Sequence, residues 1–377
     1  MKRLCTLALM LVVWTTMAQV FDAETPLTWV DEPTSNPNSA EVQEQISNAE
    51  AAVAAGDYAK AAKAYSRLNR NSRSSNNMAN SLIAQGDMYL QLQDYDSAVE
   101  AYQKAVDTYG SRIPLLKVIK AEYDIATDHY LQTFSGWGIF KSNGNFKANK
   151  VYDHILKSAP YSDYAALALF RSGLAYQWEK QYIESADQLR KMINRFPDSR
   201  LTGYAMIELA RSLLLNAERS DGDGTLASEA KQVLRRFFQT YPDHPKKGEA
   251  ASLLIQANEQ EAARLLHLGK FYLRELSYSD EAARRYLSQI VSAYGETQYA
   301  QEAKDLLASI GVDSSSISAS EGAGMDGNAG TGGLAGIPAI PEAEKRPVKY
   351  MPKNPNEKWL LPLVDLSEDK PATEEAE

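Results

Sequence analysis

Gly56-Asp57-Tyr58-Ala59-Lys60-Ala61 and Gln93-Asp94-Tyr95-Asp96-Ser97-Ala98 are two copies of one turn, and their reading decides the fold. Each runs on into an aromatic residue at the same place, Tyr65 after Ala61 and Tyr102 after Ala98, and the second copy lies 37 positions after the first. A self-similarity of that length is the mark of a helix-turn-helix array. The small-xxx-aromatic pair returns as Ala148 with Tyr152 and Ala282 with Tyr286, and Ala230 with Leu234 keeps an apolar form of it. The helices before these turns share a G-x-x-Y signature in Gly86 with Tyr89, Gly173 with Tyr176 and Gly269 with Tyr272, and Ala210 with Leu213 is a degraded fourth.

The second helix of each pair closes on an aromatic or apolar residue followed by a breaker: Tyr109-Gly110, Ala159-Pro160, Phe196-Pro197, Tyr241-Pro242, Tyr294-Gly295. Proline cannot continue a helix, and glycine tolerates the left-handed cap. Apolar positions recur at three- and four-residue spacing from about Ala40 to about Ile310, so this region is expected to be all α. The period is that of the tetratricopeptide repeat. Six helix pairs are expected, at 40–70, 77–109, 113–158, 161–196, 199–241 and 246–294, with a closing helix from Thr297 to Ile310. Close backbone approach is expected at Gly86 and Ala98, with Tyr89 and Tyr102 filling the space between successive pairs. No pair buries its faces alone, so the array is expected to stack into a superhelix.

Outside the array the composition changes. Residues 19–39 carry Pro26, Pro33 and Pro37 among polar residues and read as an extended lead-in. Residues 312–377 are Gly- and Pro-rich, a composition that cannot repay the entropy of ordering, and are expected to form a disordered tail. An apolar motif within it, Trp359-Leu360-Leu361, follows a basic stretch and is a candidate partner-binding element. At the other end, Lys2 and Arg3 precede an apolar run from Leu4 to Trp14 and a small-residue site at Thr16-Met17-Ala18. This has the form of a secretory signal peptide over 1–18, too short for the roughly 20 apolar residues of a membrane span. The one cysteine, Cys5, lies inside it, so neither a disulfide nor a direct lipid anchor is expected in the mature chain.

A net charge of -9 argues against nucleic acid as a partner, because phosphate recognition needs clustered Lys and Arg. His129, His154, His244 and His267 lie in different repeats without a ligand spacing, and Asp221-Gly222-Asp223-Gly224 lacks the closing Glu of a calcium loop. No nucleotide cradle or nucleophile motif is present, so neither catalytic, cofactor-binding nor metal residues are expected. The chemistry left is protein binding. With Gly86 as the close-packing position, helical spacing turns Asn80, Ile83, Asp87 and Leu90 towards the inner wall of the array, and Leu167, Phe170, Leu174 and Gln177 do the same in the fourth pair. Such a mixed wall suits an extended or helical peptide, and neighbour packing is the alternative use of the same residues.

One stretch goes beyond a generic repeat. Glu249-Ala250, Glu261-Ala262, Gly269-Lys270-Phe271-Tyr272, Glu281-Ala282-Ala283-Arg284-Arg285-Tyr286 and Ala303-Lys304-Asp305-Leu306-Leu307 run in an order and spacing that resemble the BamD (YfiO-like) family. The junctions Phe196-Pro197-Asp198-Ser199 and Tyr241-Pro242-Asp243 are similar to that family's repeat boundaries, and the resemblance extends over residues 40–310. It implies a non-catalytic, periplasm-facing scaffold in the machinery that inserts β-barrel proteins into the outer membrane. Its partners would be other envelope proteins, either that machinery or its clients. A periplasmic coordinator resembling CpoB of the Tol-Pal system, acting in cell constriction, is the alternative, although no sustained heptads precede residue 77. Members of the BamD family are typically lipoproteins, whereas here attachment to the outer membrane is expected to be peripheral.

The mature chain is expected to begin at Gln19 and to carry no lipid. Intact mass and N-terminal sequencing of protein from its native envelope check this, and an acylated chain or one retaining Met1 to Ala18 would overturn it.

Overall fold

The computed structural model describes residues 27–130, 144–219, 224–274, 278–313 and 317. The expected signal peptide, the tail beyond Ile317 with Trp359, Leu360 and Leu361, and most of the Asp221 turn lie outside the described residues, while Val312 and Ile317 at the start of the expected tail pack on the core of α11 to α13. Within them the chain is all-helical and has no strand. It divides into two compact units, Met1–Glu122 and Tyr123–Glu377.

The first unit holds α1 (Ser39–Ala54), α2 (Tyr58–Asn71), α3 (Ser75–Gln91), α4 (Tyr95–Tyr109) and most of α5 (Leu115–Asp124). The repeated turn found in the sequence is one local structure. Gly56 and Gln93 adopt left-handed φ values of 73° and 59°, and the next residue donates back five positions, Asp57 N to Ala52 O and Asp94 N to Tyr89 O, both at 2.9 Å. The aspartate then caps the following helix, Asp57 accepting from Lys60 N at 3.0 Å and Asp94 from Ser97 N at 3.2 Å. One three-residue turn thus satisfies the orphan carbonyls of one helix and an orphan N–H of the next.

The second unit continues from α5 as a π-helical turn, Ile125–Tyr130, followed by α6 (Gly144–Ser158), α7 (Asp163–Trp178), α8 (Tyr182–Arg195), α9 (Thr202–Ala217), α10 (Thr225–Thr240), α11 (Lys247–Tyr272), α12 (Asp280–Ala293) and α13 (Ala300–Ser309). The same closure recurs between α7 and α8, with Lys180 at φ 62° and Gln181 N donating to Tyr176 O at 2.9 Å. The links between pairs repeat as well. Ser199 N to Phe196 O and Thr202 N to Ser199 O are matched by His244 N to Tyr241 O and Lys247 N to His244 O, and by Thr297 N to Tyr294 O and Ala300 N to Thr297 O. The 26-residue α11 spans two cores, its Ala250, Leu253, Leu254 and Ala257 packing with α9 and α10 and its Ala262, Leu265 and Leu266 with α12 and α13. At about 1.5 Å per residue it is roughly 39 Å long, enough to serve both. No helix of the described residues is long and apolar enough to cross a membrane.

The glycines of the G-x-x-Y signature each receive a bulky side chain from the facing helix. A Cβ on Gly86 would lie 2.5 Å from the Tyr102 ring, one on Gly173 would lie 2.7 Å from Leu189 Cγ, and one on Gly269 would lie 2.6 Å from Leu287 Cδ2. This corrects the expectation for Tyr102. Its ring fills space within its own pair rather than between pairs, because it lies across Gly86 and its hydroxyl donates to Asp87 Oδ1 at 2.6 Å. Tyr89 packs on the core that α1 and α2 share with Ala84 and Met88 of α3, where the first pair meets the second.

Gly86→Leu is expected to destabilise the α3–α4 pair by about 1–3 kcal/mol, since a buried ring has to leave its seat. Hydrogen exchange should rise in α3 and α4 and stay unchanged in α9 to α12, and a uniform rise or no rise would contradict the seating.

Candidate functional site

The lead-in forms the best-defined recognition contact in the first unit. From Leu27 to Val30 its side chains alternate, Leu27 and Trp29 turned against the helices and Thr28 and Val30 outward; Asp31 is also exposed, and Glu32 turns back in. Leu27 and Trp29 pack on the core of the first pair, where the Trp29 indole stacks on Tyr65 with ring centroids 5.9 Å apart and its Nε1–H donates to Glu50 Oε1 at 3.0 Å. The backbone between them is read by amides on α3. Asn77 accepts from Val30 N at 2.8 Å and donates to Val30 O at 2.7 Å, and Asn80 donates to Thr28 O at 2.8 Å. Asn77 and Asn80 are separated by about 4.5 Å of helical rise, and Thr28 and Val30 by about 6.6 Å of extended chain, a difference that carboxamide side chains can span.

Glu32 ends the contact at the turn between α2 and α3. Its carboxylate accepts from Ser72 Oγ, from Asn77 Nδ2 at 3.0 Å, from Arg73 N at 3.1 Å and from Asn36 Nδ2 at 2.9 Å. Burial works to raise its pKa, but the hydrogen bonds from Ser72, Asn36, Asn77 and Arg73 outweigh it and hold the carboxyl below its ordinary 4.5.

The wall residues expected from spacing are placed differently from one another. Asn80 meets the lead-in, while Ile83 is 2% exposed and belongs to the interior. Asp87 turns between α3 and α4 to meet Tyr102, where enclosure raises its carboxyl pKa against the opposing effects of that hydrogen bond and of Lys117. Leu90 is half-buried. In the fourth pair, Phe170 and Leu174 are part of the core shared by α7 to α11. Gln177 donates to Ser212 Oγ at 2.9 Å and so fastens α7 to α9. Leu167 lines a cleft of about 430 Å³ at the α8–α9 junction, together with Asp163, Arg195, Phe196, Asp198 and Arg200. Neighbour packing therefore uses Ile83, Phe170, Leu174 and Gln177, and the structure brings only Asn80 of the eight onto the lead-in contact.

Trp29, Glu32 and Asn77 went unread in the sequence. The signal available was a tryptophan and a glutamate three residues apart between Pro26 and Pro33, a pattern too short to separate from linker composition.

The histidines stay apart. His244 sits among Tyr204, Phe237 and Tyr241 with ring centroids 4.5, 5.1 and 6.1 Å away, and its Nδ1 accepts from Lys246 N at 3.1 Å. His154 lies 3.3 Å from Ser158 Oγ, and His267 is exposed. Among the described residues no group of three or more His, Cys, Asp or Glu is arranged to hold a metal ion.

Comparison with known proteins adds to this geometry. Residues 162–311 match the family model described as YfiO, outer membrane lipoprotein, and residues 80–111 match a tetratricopeptide repeat model. The outer membrane protein assembly factor BamD of Caulobacter vibrioides is 23% identical over 132 residues, which are 35% of this chain and 43% of that protein. The match thus spans less than half the length of that relative. The crystal structure of the C-terminal part of a tetratricopeptide-repeat protein from Cytophaga hutchinsonii superposes with a TM-score of 0.33 at 13% identity, over 72% of this chain and 88% of that one.

Because the Glu32 pKa is lowered in the folded state, its contribution to holding the lead-in is complete above pH 4.5 and is lost as pH falls through the lowered value. The amide resonance of Val30 should shift towards its free position across that fall, and in Glu32→Gln the shift should be absent. An identical acid transition in the Gln variant would assign it to another group.

Proposed function

We propose that this BamD-like tetratricopeptide-repeat protein is a non-catalytic scaffold of the cell envelope that acts in the assembly of outer-membrane β-barrel proteins, at the periplasmic face of the outer membrane. The observation that carries the reading is the match of residues 162–311 to the outer membrane lipoprotein family, which takes in the whole of α7 to α13. The tetratricopeptide fold itself supports a protein-interaction scaffold: its helices bury one another, and what remains is surface for other proteins. The Caulobacter relative, an assembly factor by name, supports the narrower role.

The sequence form of residues 1–18 supports export, and the position of Cys5 within them supports attachment through protein contacts rather than lipid. The partners are then other envelope proteins, the barrel-insertion machinery or its clients. Trp359, Leu360 and Leu361, beside Lys345, Arg346, Lys349, Lys353 and Lys358, supply a second contact on the same chain, where two weak sites act through their joint effective concentration.

Depletion of the protein should lower the amount of folded β-barrel protein in the outer membrane, and the protein should co-purify with the barrel-insertion machinery and leave the membrane fraction in high salt. If depletion left barrel proteins at normal levels while cell constriction failed, the coordinator resembling CpoB would replace the assembly reading.

A further inference from the structure

The lead-in contact has the makings of a ligand site. Asn77 and Asn80 recognise the backbone of residues 28 and 30, whose side chains face solvent, Val30 being 42% exposed, and Asn77 also donates to the Glu32 carboxylate. Side-chain identity is read at three positions: an apolar residue at Leu27 and an indole at Trp29 against the first-pair core, then a carboxylate at Glu32 in a nest of four donors. A face that merely anchored its own chain would have no need to leave half the positions unspecified. Backbone pairing for affinity, with pockets for alternate side chains, is how extended peptides are bound in general.

We propose that the α3 face with Tyr65, Ser72, Asn77 and Asn80 is a binding site for an extended segment of a partner protein of the form apolar-x-Trp-x-x-acidic, and that residues 27–32 are its resident, exchangeable occupant. The chemistry of the lead-in names the partner: a segment without helix, carrying a large aromatic and, three residues on, a carboxylate. Exchange is feasible because the occupant is shallow. Leu27, Trp29 and Glu32 are only partly buried, and the indole hydrogen bond to Glu50 lies in solvent. Each such bond replaces a bond to water and adds little in net, so a partner segment of equal chemistry competes on even terms once its local concentration is high. The inference deepens the scaffold reading and rests on it, but not on the assembly role, so normal barrel levels after depletion would leave it standing.

The test uses the full chain and a labelled twelve-residue peptide carrying Leu, Trp and Glu at the lead-in spacing, with Ser, Thr and Gly elsewhere. Fluorescence anisotropy should show binding to Trp29→Ala/Glu32→Ala about tenfold or more tighter than to the wild-type chain, whose site is mostly filled. Adding Asn77→Ala to that variant should abolish binding, and replacing the peptide's Trp by Ala should do the same on the unaltered variant. Helical circular dichroism guards against unfolding, and Asn80→Ser provides a milder second change that should weaken binding in proportion to one lost backbone bond. Equal binding to wild type and variant, no binding to a folded variant, or indifference to the peptide's Trp would each overturn the proposal. Dimerisation of the wild-type chain by mutual exchange of lead-ins would overturn it in favour of a second copy as occupant.

Discussion

A side chain from one helix lying across a glycine of the next is the contact on which the helix pairs depend. At Gly86, Gly173 and Gly269 the space that a Cβ would need is held by Tyr102, Leu189 and Leu287. The close approach fixes the rotation of the first helix about its own axis, and everything else on that helix follows from it. Residues beside the glycine, such as Asp87, are turned to the paired helix, and those a turn away meet the neighbouring pair. In α7 this accounts for Phe170 and Leu174 in the core and for Gln177 bonded to Ser212, whose hydroxyl is also 2.8 Å from Ser185 Oγ. Little of such a helix is left for a ligand, because an array that buries its open faces by stacking spends the inner faces on its own neighbours.

The first unit departs from that economy on α3. Its Asn77 and Asn80 face no adjoining helix but an extended segment of chain. A carboxamide offers a donor and an acceptor side by side, and a single residue of extended backbone presents the complementary pair, which Asn77 satisfies at Val30 in both directions. Gln177 uses the same chemistry for a different end, locking two helices together. Amides on the first helix of a pair thus serve packing in one unit and backbone recognition in the other, and only the identity of the opposing segment tells them apart.

That difference explains what the sequence could and could not disclose. Helix boundaries, the repeated turn and the glycine seats were legible because each rests on local chemistry: a left-handed residue, a capping aspartate, a missing side chain. The π-helical turn at Ile125–Tyr130 was not, since one widened turn leaves the apolar spacing around it almost unaltered. Tyr102 was assigned to the wrong gap for a similar reason, as spacing gives the face of a helix but not which of two neighbours the ring will reach. The lead-in contact was hidden altogether. Val30 and Asn77 are 47 residues apart, and the bonds between them go to backbone that every residue carries.

How the second unit is held bears on where function resides. In the second unit the helices are fastened by charge taken out of water: Arg211, 6% exposed, bonds Glu208 on its own helix and Glu249 on α11, and Lys231 donates to Tyr294 Oη at 2.7 Å across to the end of α12. Buried ion pairs add little net stability over apolar packing but penalise any arrangement that separates them, so they favour one geometry over its near neighbours. The family resemblance, residues 162–311, falls on this charge-locked part. The α3 contact with the lead-in is made instead by the neutral amides Asn77 and Asn80, with the Trp29 indole of the lead-in stacked on Tyr65. In an array whose elements touch only their neighbours, these requirements are separable: one set of helices can keep a fixed geometry while another meets an extended segment, and exchange of that segment, as proposed above, would not disturb the first set.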